Sequence, residues 1–259
     1  MEVFLLFLLV GVLAQAVDGA LGMAYGVVSS SVLLAFGVPP AMASATVHAA
    51  EVFTTGASAT SHILHKNVVW RLFIPLAAAG VVGGIIGAYF LSGLEGDVVK
   101  PYIIGYLALI GLYILYRGFN QPRPRRLARF WMAPMGLIGG FLDATGGGGW
   151  GPTVTSTMVG VGVEPRAAIG TVNTAEWCLT VAISASFLFA LLTGRWEEAE
   201  AIQHHGLAVG GLIAGGLIAA PFAGLITKRV PRRALTFMVG GLLILLSLFQ
   251  GLQLAGVFG

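Results

Sequence analysis

The chain has 259 residues, of which 57% are hydrophobic and only 10% are charged, and its formal net charge is +3. A soluble domain carries about a quarter charged residues, so this composition excludes a water-soluble globule and indicates an integral membrane protein. Strand-type alternation is absent from the sequence, which predicts an all-α fold. The small net charge does not indicate a nucleic-acid partner, and the single cysteine, Cys178, provides neither a disulfide framework nor a cysteine metal site.

The first apolar segment runs from residue 3 to residue 36 and would be about 50 Å long as one helix. That length is too great for one crossing of the bilayer and too small for two full crossings. Its middle, Asp18-Gly-Ala-Leu-Gly22, should interrupt a helix. The segment is therefore either one broken crossing or a hairpin that turns back. No Lys or Arg precedes the apolar run, so we expect it to be retained and not cleaved as a signal peptide.

An internal repeat divides the chain. A shift of 125 residues aligns residues 11–57 with residues 136–182 without a gap, and 15 of the 47 pairs are identical. The matches include polar residues, such as Asp18 with Asp143 and Glu51 with Glu176. We therefore predict a first transmembrane repeat at 1–118, an arginine-rich linker at 119–129 and a second transmembrane repeat at 130–259.

Three further crossings are predicted in each repeat, and charge decides between the two forms of the first segment. The predicted crossings lie near 41–64, 72–92, 98–117, 166–192, 206–226 and 234–254. If the first segment of each repeat returns, 12 Lys and Arg residues lie on the linker side and only Lys100 and Arg195 on the other. If that segment instead crosses once, 8 Lys and Arg residues lie on one side of the membrane and 6 on the other. The positive-inside rule favours the first count. We expect re-entrant hairpins, inverted repeats, a cytoplasmic linker and an outside C-terminus.

Interrupted helices in inverted repeats are typical of secondary transporters, because the interruption places half-helix ends near the middle of the membrane. The N-terminal end of a half-helix favours an anion. The second interruption contains four glycines, Gly146 to Gly149, which would let several backbone amides approach a ligand; a structural hinge is the alternative. Gly22 is the counterpart of Gly147 in the first repeat, and Trp150 could wall a cavity or simply pack.

Four acidic residues occupy equivalent positions in the two repeats, and acids at this depth indicate a pathway, a pair or a protonation site. Asp18 and Asp143 either take part in coupling or cap the second half-helix. Glu51 and Glu176 either carry protons or lock helices together. The helices after the interruptions add further candidate substrate ligands, namely Thr46, His48, Thr171 and Asn173. We expect no metal ion and no cofactor.

The repeated interruption, the Gly-Val-x-Pro turns at 37–40 and 162–165, and the Thr-Val-x-x-Ala-Glu helices at 46–51 and 171–176 resemble the TauE/SafE family of sulfite and organosulfonate exporters. The resemblance spans nearly the whole chain. It implies proton-driven export of a small sulfur oxyanion, such as sulfite or sulfoacetate, across a bacterial-type inner membrane. The two repeats differ at His48 versus Asn173, so they need not contribute equally to binding.

An anion channel of the same architecture is the alternative function, and it would never accumulate substrate against a gradient. A membrane-embedded enzyme would need a nucleophile motif or a set of metal ligands, and the sequence offers neither. The partners that we expect are therefore a small anion, the lipid bilayer and protons.

Overall fold

The computed structural model describes residues 2–120, 129–160, 163–196, 202–220 and 231–257. Regular structure in these ranges is helical. The first repeat contains five α-helices, which are α1 Glu2–Leu21, α2 Tyr25–Ala35, α3 Pro40–Leu64, α4 Trp70–Leu91 and α5 Gly96–Phe119. The second contains α6 Met132–Gly146, α7 Ser156–Gly160, α8 Pro165–Leu192, α9 Ile202–Ala219 and α10 Arg232–Leu254. A 3₁₀ turn, Arg129–Trp131, precedes α6, and a π-helical turn, Gly151–Thr155, precedes α7.

Four helices within the described ranges are long and apolar enough to cross a membrane. They correspond to four of the crossings expected from the sequence and are Trp70–Leu91, Gly96–Phe119, Arg166–Leu192 and Thr236–Leu254. Large apolar side chains such as Leu109 and Leu245 are both 67% exposed on these helices, as expected for surfaces that face lipid. The expected crossing at 206–226 lies partly outside the described residues, and so does most of the linker.

The first segment is a helical hairpin. Gly22 to Ala24 separate α1 from α2, and α2 has only 11 residues, or about 16 Å of helix, which is too short to cross the bilayer alone. The ring of Phe36, just after α2, meets the ring of Phe7 in α1 edge-on, with centroids 6.1 Å apart. A continuous helix would hold these rings tens of ångströms apart, so α2 turns back along α1.

Contacts at the ends of the helices agree with hairpins that return in both repeats. Arg166, in the first turn of α8, donates from Nε to Asn67 Oδ1 after α3, at 2.6 Å. Lys100 and Arg195 line one cavity at the other end of α5 from the linker. A single crossing in each repeat would send the two members of each pair to opposite membrane faces. Both observations therefore agree with first segments that return to the side from which they start.

The two repeats are interleaved in the structure. Helix α1 packs along α9, and α6, the repeat equivalent of α1, packs along α4. Glycines make these approaches close: a Cβ on Gly83 would overlap the Leu137 carbonyl, and one on Gly215 would overlap the Leu8 carbonyl. In α4 these close contacts fall at Gly-x-x-x-Gly spacings, 80–84 and 83–87, which are typical of closely packed membrane helices. In addition, α3 packs on α8 and α5 on α10, so helices from both repeats enclose the centre.

Candidate functional site

The tips of the two hairpins touch in the middle of the molecule. Gly148 has φ +150° and lies directly on the backbone of Gly26 and Val27, which a Cβ at position 148 would overlap. From the other side, the Thr155 hydroxyl donates to the Gly22 carbonyl at 3.0 Å. Glycine is therefore required at 148 both by conformation and by space.

Each tip is capped by the aspartate of its own interruption. Asp18 Oδ1 accepts from the backbone N–H groups of Ala24 at 2.8 Å and Tyr25 at 3.3 Å. Asp143 Oδ1 accepts from Gly149 at 2.7 Å and from the next residue, Trp150, at 2.9 Å. The capping interpretation of the two aspartates is confirmed. It follows that, in this conformation, the tip amides that the sequence suggested for an anion already bind a carboxylate of the protein.

The second tip is also tied to α3 through His48. The Nε2 atom of His48 lies 3.2 Å from Asp143 Oδ2, and its Nδ1 atom lies 2.7 Å from the Ser44 carbonyl oxygen. Since a carbonyl oxygen can only accept, Nδ1 carries a proton, and one further proton lies between Nε2 and the carboxylate. The Ser44 hydroxyl also donates to the Ala144 carbonyl at 2.6 Å. His48 and Asp143 are both buried.

The first tip lacks this connection. Asn173 stands where His48 stands in the other repeat, and its Oδ1 accepts from the Ser58 hydroxyl at 3.1 Å. Within the described part of the chain, no hydrogen bond joins Asn173 to Asp18. The asymmetry at these positions that the sequence showed is therefore a difference in how the two tips are held.

A narrow polar crevice, with no space for a water-sized sphere, lies beside the first tip. Three carboxyl groups line it, contributed by Asp18 of α1, Glu51 of α3 and Glu176 of α8, and its described wall residues include no Lys, Arg or His. Glu51 is 2% exposed, and its Oε2 atom has no hydrogen-bond partner. The neutral wall residues are Gln15, Tyr25, Thr54, Thr55, Ser58 and Asn173.

The carboxyl groups share this crevice without forming a metal site, since no cluster of three or more His, Cys, Asp or Glu suited to a metal occurs among the described residues. A bare anion would meet three acids here and no basic group among the described wall residues. The chemistry of the crevice therefore suits protons better than an anion in the same place.

Three candidate ligands lie away from the crevice. The Thr171 hydroxyl accepts from the backbone N–H of Val69 at 2.9 Å, at the start of α4. Thr46 lines a separate apolar cleft between α3 and α8. The Trp150 indole is fully buried and donates to the Val172 carbonyl at 3.2 Å, so its packing interpretation fits the structure.

Several residues near the centre were not identified from the sequence. Thr54, Thr55 and Ser58 follow Glu51 at helical spacing, which is the signal that could have placed them on the same face. Tyr106 of α5 packs against Gly146 and Gly149, and its buried hydroxyl has no hydrogen-bond partner. Its sequence context gives no indication of that contact.

Comparison with known proteins agrees with this arrangement of helices. The family described as "Sulfite exporter TauE/SafE" matches residues 7–249. The "Probable membrane transporter protein YtnM" of Bacillus subtilis (strain 168) is 44% identical over 254 residues, which cover 95% of this chain and 82% of that protein. No solved structure matches the chain. The extent of the family match and of this identity shows that the chain is a membrane transporter protein of the TauE/SafE family.

Proposed function

We propose that this protein is a proton-coupled secondary transporter that exports a small anion, either sulfite or a small organosulfonate such as sulfoacetate. The family's description supplies the sulfur oxyanion, and the YtnM relative is described as a probable transporter. The observation that carries the proposal is the crevice in which Asp18, Glu51 and Glu176 meet, with no basic side chain among the wall residues that the structure describes.

Coupling follows from the cost of charge in this crevice. Three ionised carboxylates in a low-dielectric environment repel one another strongly, and the unpartnered Oε2 of Glu51 has no donor to stabilise a charge. Protonation of these carboxyl groups removes both the repulsion between them and the need for a donor to Glu51. Glu51 and Glu176 lie on α3 and α8, which pack on each other, so a change in their protonation alters a helix contact at the centre of the fold.

The anion would bind at the hairpin tips after the capping carboxylates have moved. Asp18 and Asp143 occupy the tip amides in the present conformation, which is therefore a state closed to the anion. The contact between His48 and Asp143 provides a second link to the tip, which would also have to open. Release of a cap would expose amides that bind an oxyanion, and the neighbouring glycines would leave it room.

Alternating access would arise from inverted repeats. The hairpins that turn back and the interleaved pairs α1 with α9 and α6 with α4 support this arrangement, because three full crossings in each repeat invert one relative to the other. With this topology, the positive-inside rule would put the linker in the cytoplasm and Lys100, Arg195 and the C-terminus outside.

Flux in proteoliposomes tests this function. Labelled sulfite and labelled sulfoacetate are offered with and without an imposed pH gradient. Accumulation that depends on the gradient is the expected result. Downhill flux that never raises the internal concentration above its equilibrium value would instead identify an anion channel or uniporter. An absence of flux for both anions would reject sulfite and sulfoacetate as substrates.

A further inference from the structure

A second cavity, which we call the vestibule, opens at the end of α5 that is remote from the linker. It measures about 460 Å³, and turns from both repeats form its wall. Charged wall residues are Glu95, Asp97, Lys100 and Arg195. The vestibule is separate from the central crevice, with which it shares no lining residue.

The two cations of the vestibule are available to a ligand. The guanidinium of Arg195 lies 3.9 Å above the ring centroid of Tyr89 and packs over Gly93, which fixes its position. Neither Arg195 nor Lys100 forms an ion pair with a carboxylate in the described part of the chain. Helix α5 begins in the same wall, so the positive end of its dipole adds to their field. The exposed Glu95 and Asp97 disfavour a polyanion, so the vestibule suits a monoanion.

A buried, unpartnered donor provides a second observation. Trp196 is 5% exposed, yet its indole N–H has no hydrogen-bond partner. An unsatisfied buried donor costs free energy, and a ligand oxygen that reached this N–H would remove that cost. Trp196 is adjacent to Arg195 in the chain and belongs to the same wall.

Trp196 also belongs to the wall of an apolar cavity of about 230 Å³, which we call the side cleft. The Trp196 ring packs on Phe187, with centroids 5.6 Å apart. The side cleft is lined mainly by apolar residues, including Met42, Ala45, Ala49, Phe187, Leu188 and Leu191. A polar cavity with two cations and a smaller apolar cavity thus share one wall residue, Trp196, which lies between them.

We infer that the vestibule and the side cleft together form a binding site for an organic monoanion. Its charged head would lie at Lys100, Arg195 and the Trp196 N–H, and its short apolar body would enter the side cleft. A soluble ligand fits better than a lipid, since the polar cavity is twice the volume of the apolar one and is built from helix ends and turns. Its role as the outer station of an export path rests on the proposed function, whereas the binding itself does not.

Equilibrium binding to the purified full chain in detergent tests this site without any transport. Methanesulfonate and butanesulfonate are suitable probes because their charge does not change with pH. We expect butanesulfonate to bind about fiftyfold more tightly, from three additional buried methylenes. Arg195→Gln should weaken both probes about tenfold and Trp196→Phe several-fold, since each removes a hydrogen bond to a charged group.

Filling the side cleft distinguishes the contribution of the ligand's apolar body to the affinity from that of its charged head. Ala45→Phe, with Ala49→Phe as a second variant in case the first does not fold, should abolish the advantage of butanesulfonate and leave methanesulfonate binding unchanged. Arg71→Gln is the control. It removes an exposed cation at the start of α4, whereas the vestibule lies near the end of that helix, so this variant should bind both probes as the parent does.

Equal affinity of the two probes, or affinities that Arg195→Gln does not change, would overturn the inference. Competition by phosphatidylglycerol at stoichiometric amounts would overturn the choice of a soluble ligand. The proposed function fails separately: flux without vestibule binding rejects only this site, and vestibule binding without flux rejects only the transport proposal.

Discussion

His48 of the first repeat and Asp143 of the second are joined at 3.2 Å, in a buried pair that fastens the second hairpin tip to α3. This pair spans the two repeats. Asp143 uses its other oxygen to cap the half-helix that begins at Trp150, so a single carboxylate links the tip, its helix and the opposite repeat.

Removal of one partner of this pair should be costly. His48→Ala leaves a buried carboxylate without its proton donor, and we expect a loss of about 3 kcal/mol in stability. Thermal unfolding in detergent measures the effect. Asn173→Ala is the matched control at the equivalent position, where the loss of one hydrogen bond from Ser58 should cost about 1 kcal/mol.

Combining His48→Ala with Asp143→Asn distinguishes a true pair from two independent residues. Because Asn removes the charge that His48 neutralises, the double variant should be clearly more stable than the sum of the two single losses predicts. Additive losses would show that the two side chains do not interact.

Gly148 should tolerate no side chain. Gly148→Ala places a Cβ on the backbone of Gly26 and Val27 and also strains a φ of +150°, so we expect the two tips to separate and the folded yield to fall sharply. Gly194 has φ +68° with open space around it, so Gly194→Ala should cost only about 1 kcal/mol. Size-exclusion profiles and thermal unfolding compare the two variants, and equal behaviour would contradict the tip contact.

Labelling of single cysteines tests the return of both hairpins. In a Cys178→Ala background, Lys66→Cys and Phe130→Cys should react with a membrane-impermeant thiol reagent only from the cytoplasmic side. Leu94→Cys and Thr193→Cys should react only from outside. All four native side chains are exposed. Reaction of positions 94 and 193 from opposite sides would show that each first segment crosses once.

Much of the architecture was predictable because hydropathy, helix length and the repeat are local or periodic signals. The 125-residue shift identified Asp18 and Asp143 as equivalents, and the Asp before a helix start indicated the caps that the structure contains. The positive-inside count also favoured the hairpin form of the first segment, which the Phe7 and Phe36 contact supports.

The contacts between repeats were not predictable in the same way. The equivalent positions of Thr46 and Thr171 in the two repeats suggested that both would face a common site. Instead, Thr171 accepts a hydrogen bond from Val69, and Thr46 lines the side cleft. The rotation of each helix about its axis depends on close glycine contacts such as Gly140 against Gly80, and a single sequence does not reveal which glycines meet. Tyr106 was missed for the same reason.

The coupling role of the central crevice is the main claim, and it can be tested by following protons and anion together. Proteoliposomes loaded with a pH-sensitive dye report proton movement while labelled sulfite moves down its gradient. We expect the parent to move protons with the anion, and Glu51→Gln or Glu176→Gln to abolish that proton movement, whereas Glu2→Gln, an exposed acid outside the crevice, should behave as the parent does. Proton movement that persists undiminished in both crevice variants would contradict the account.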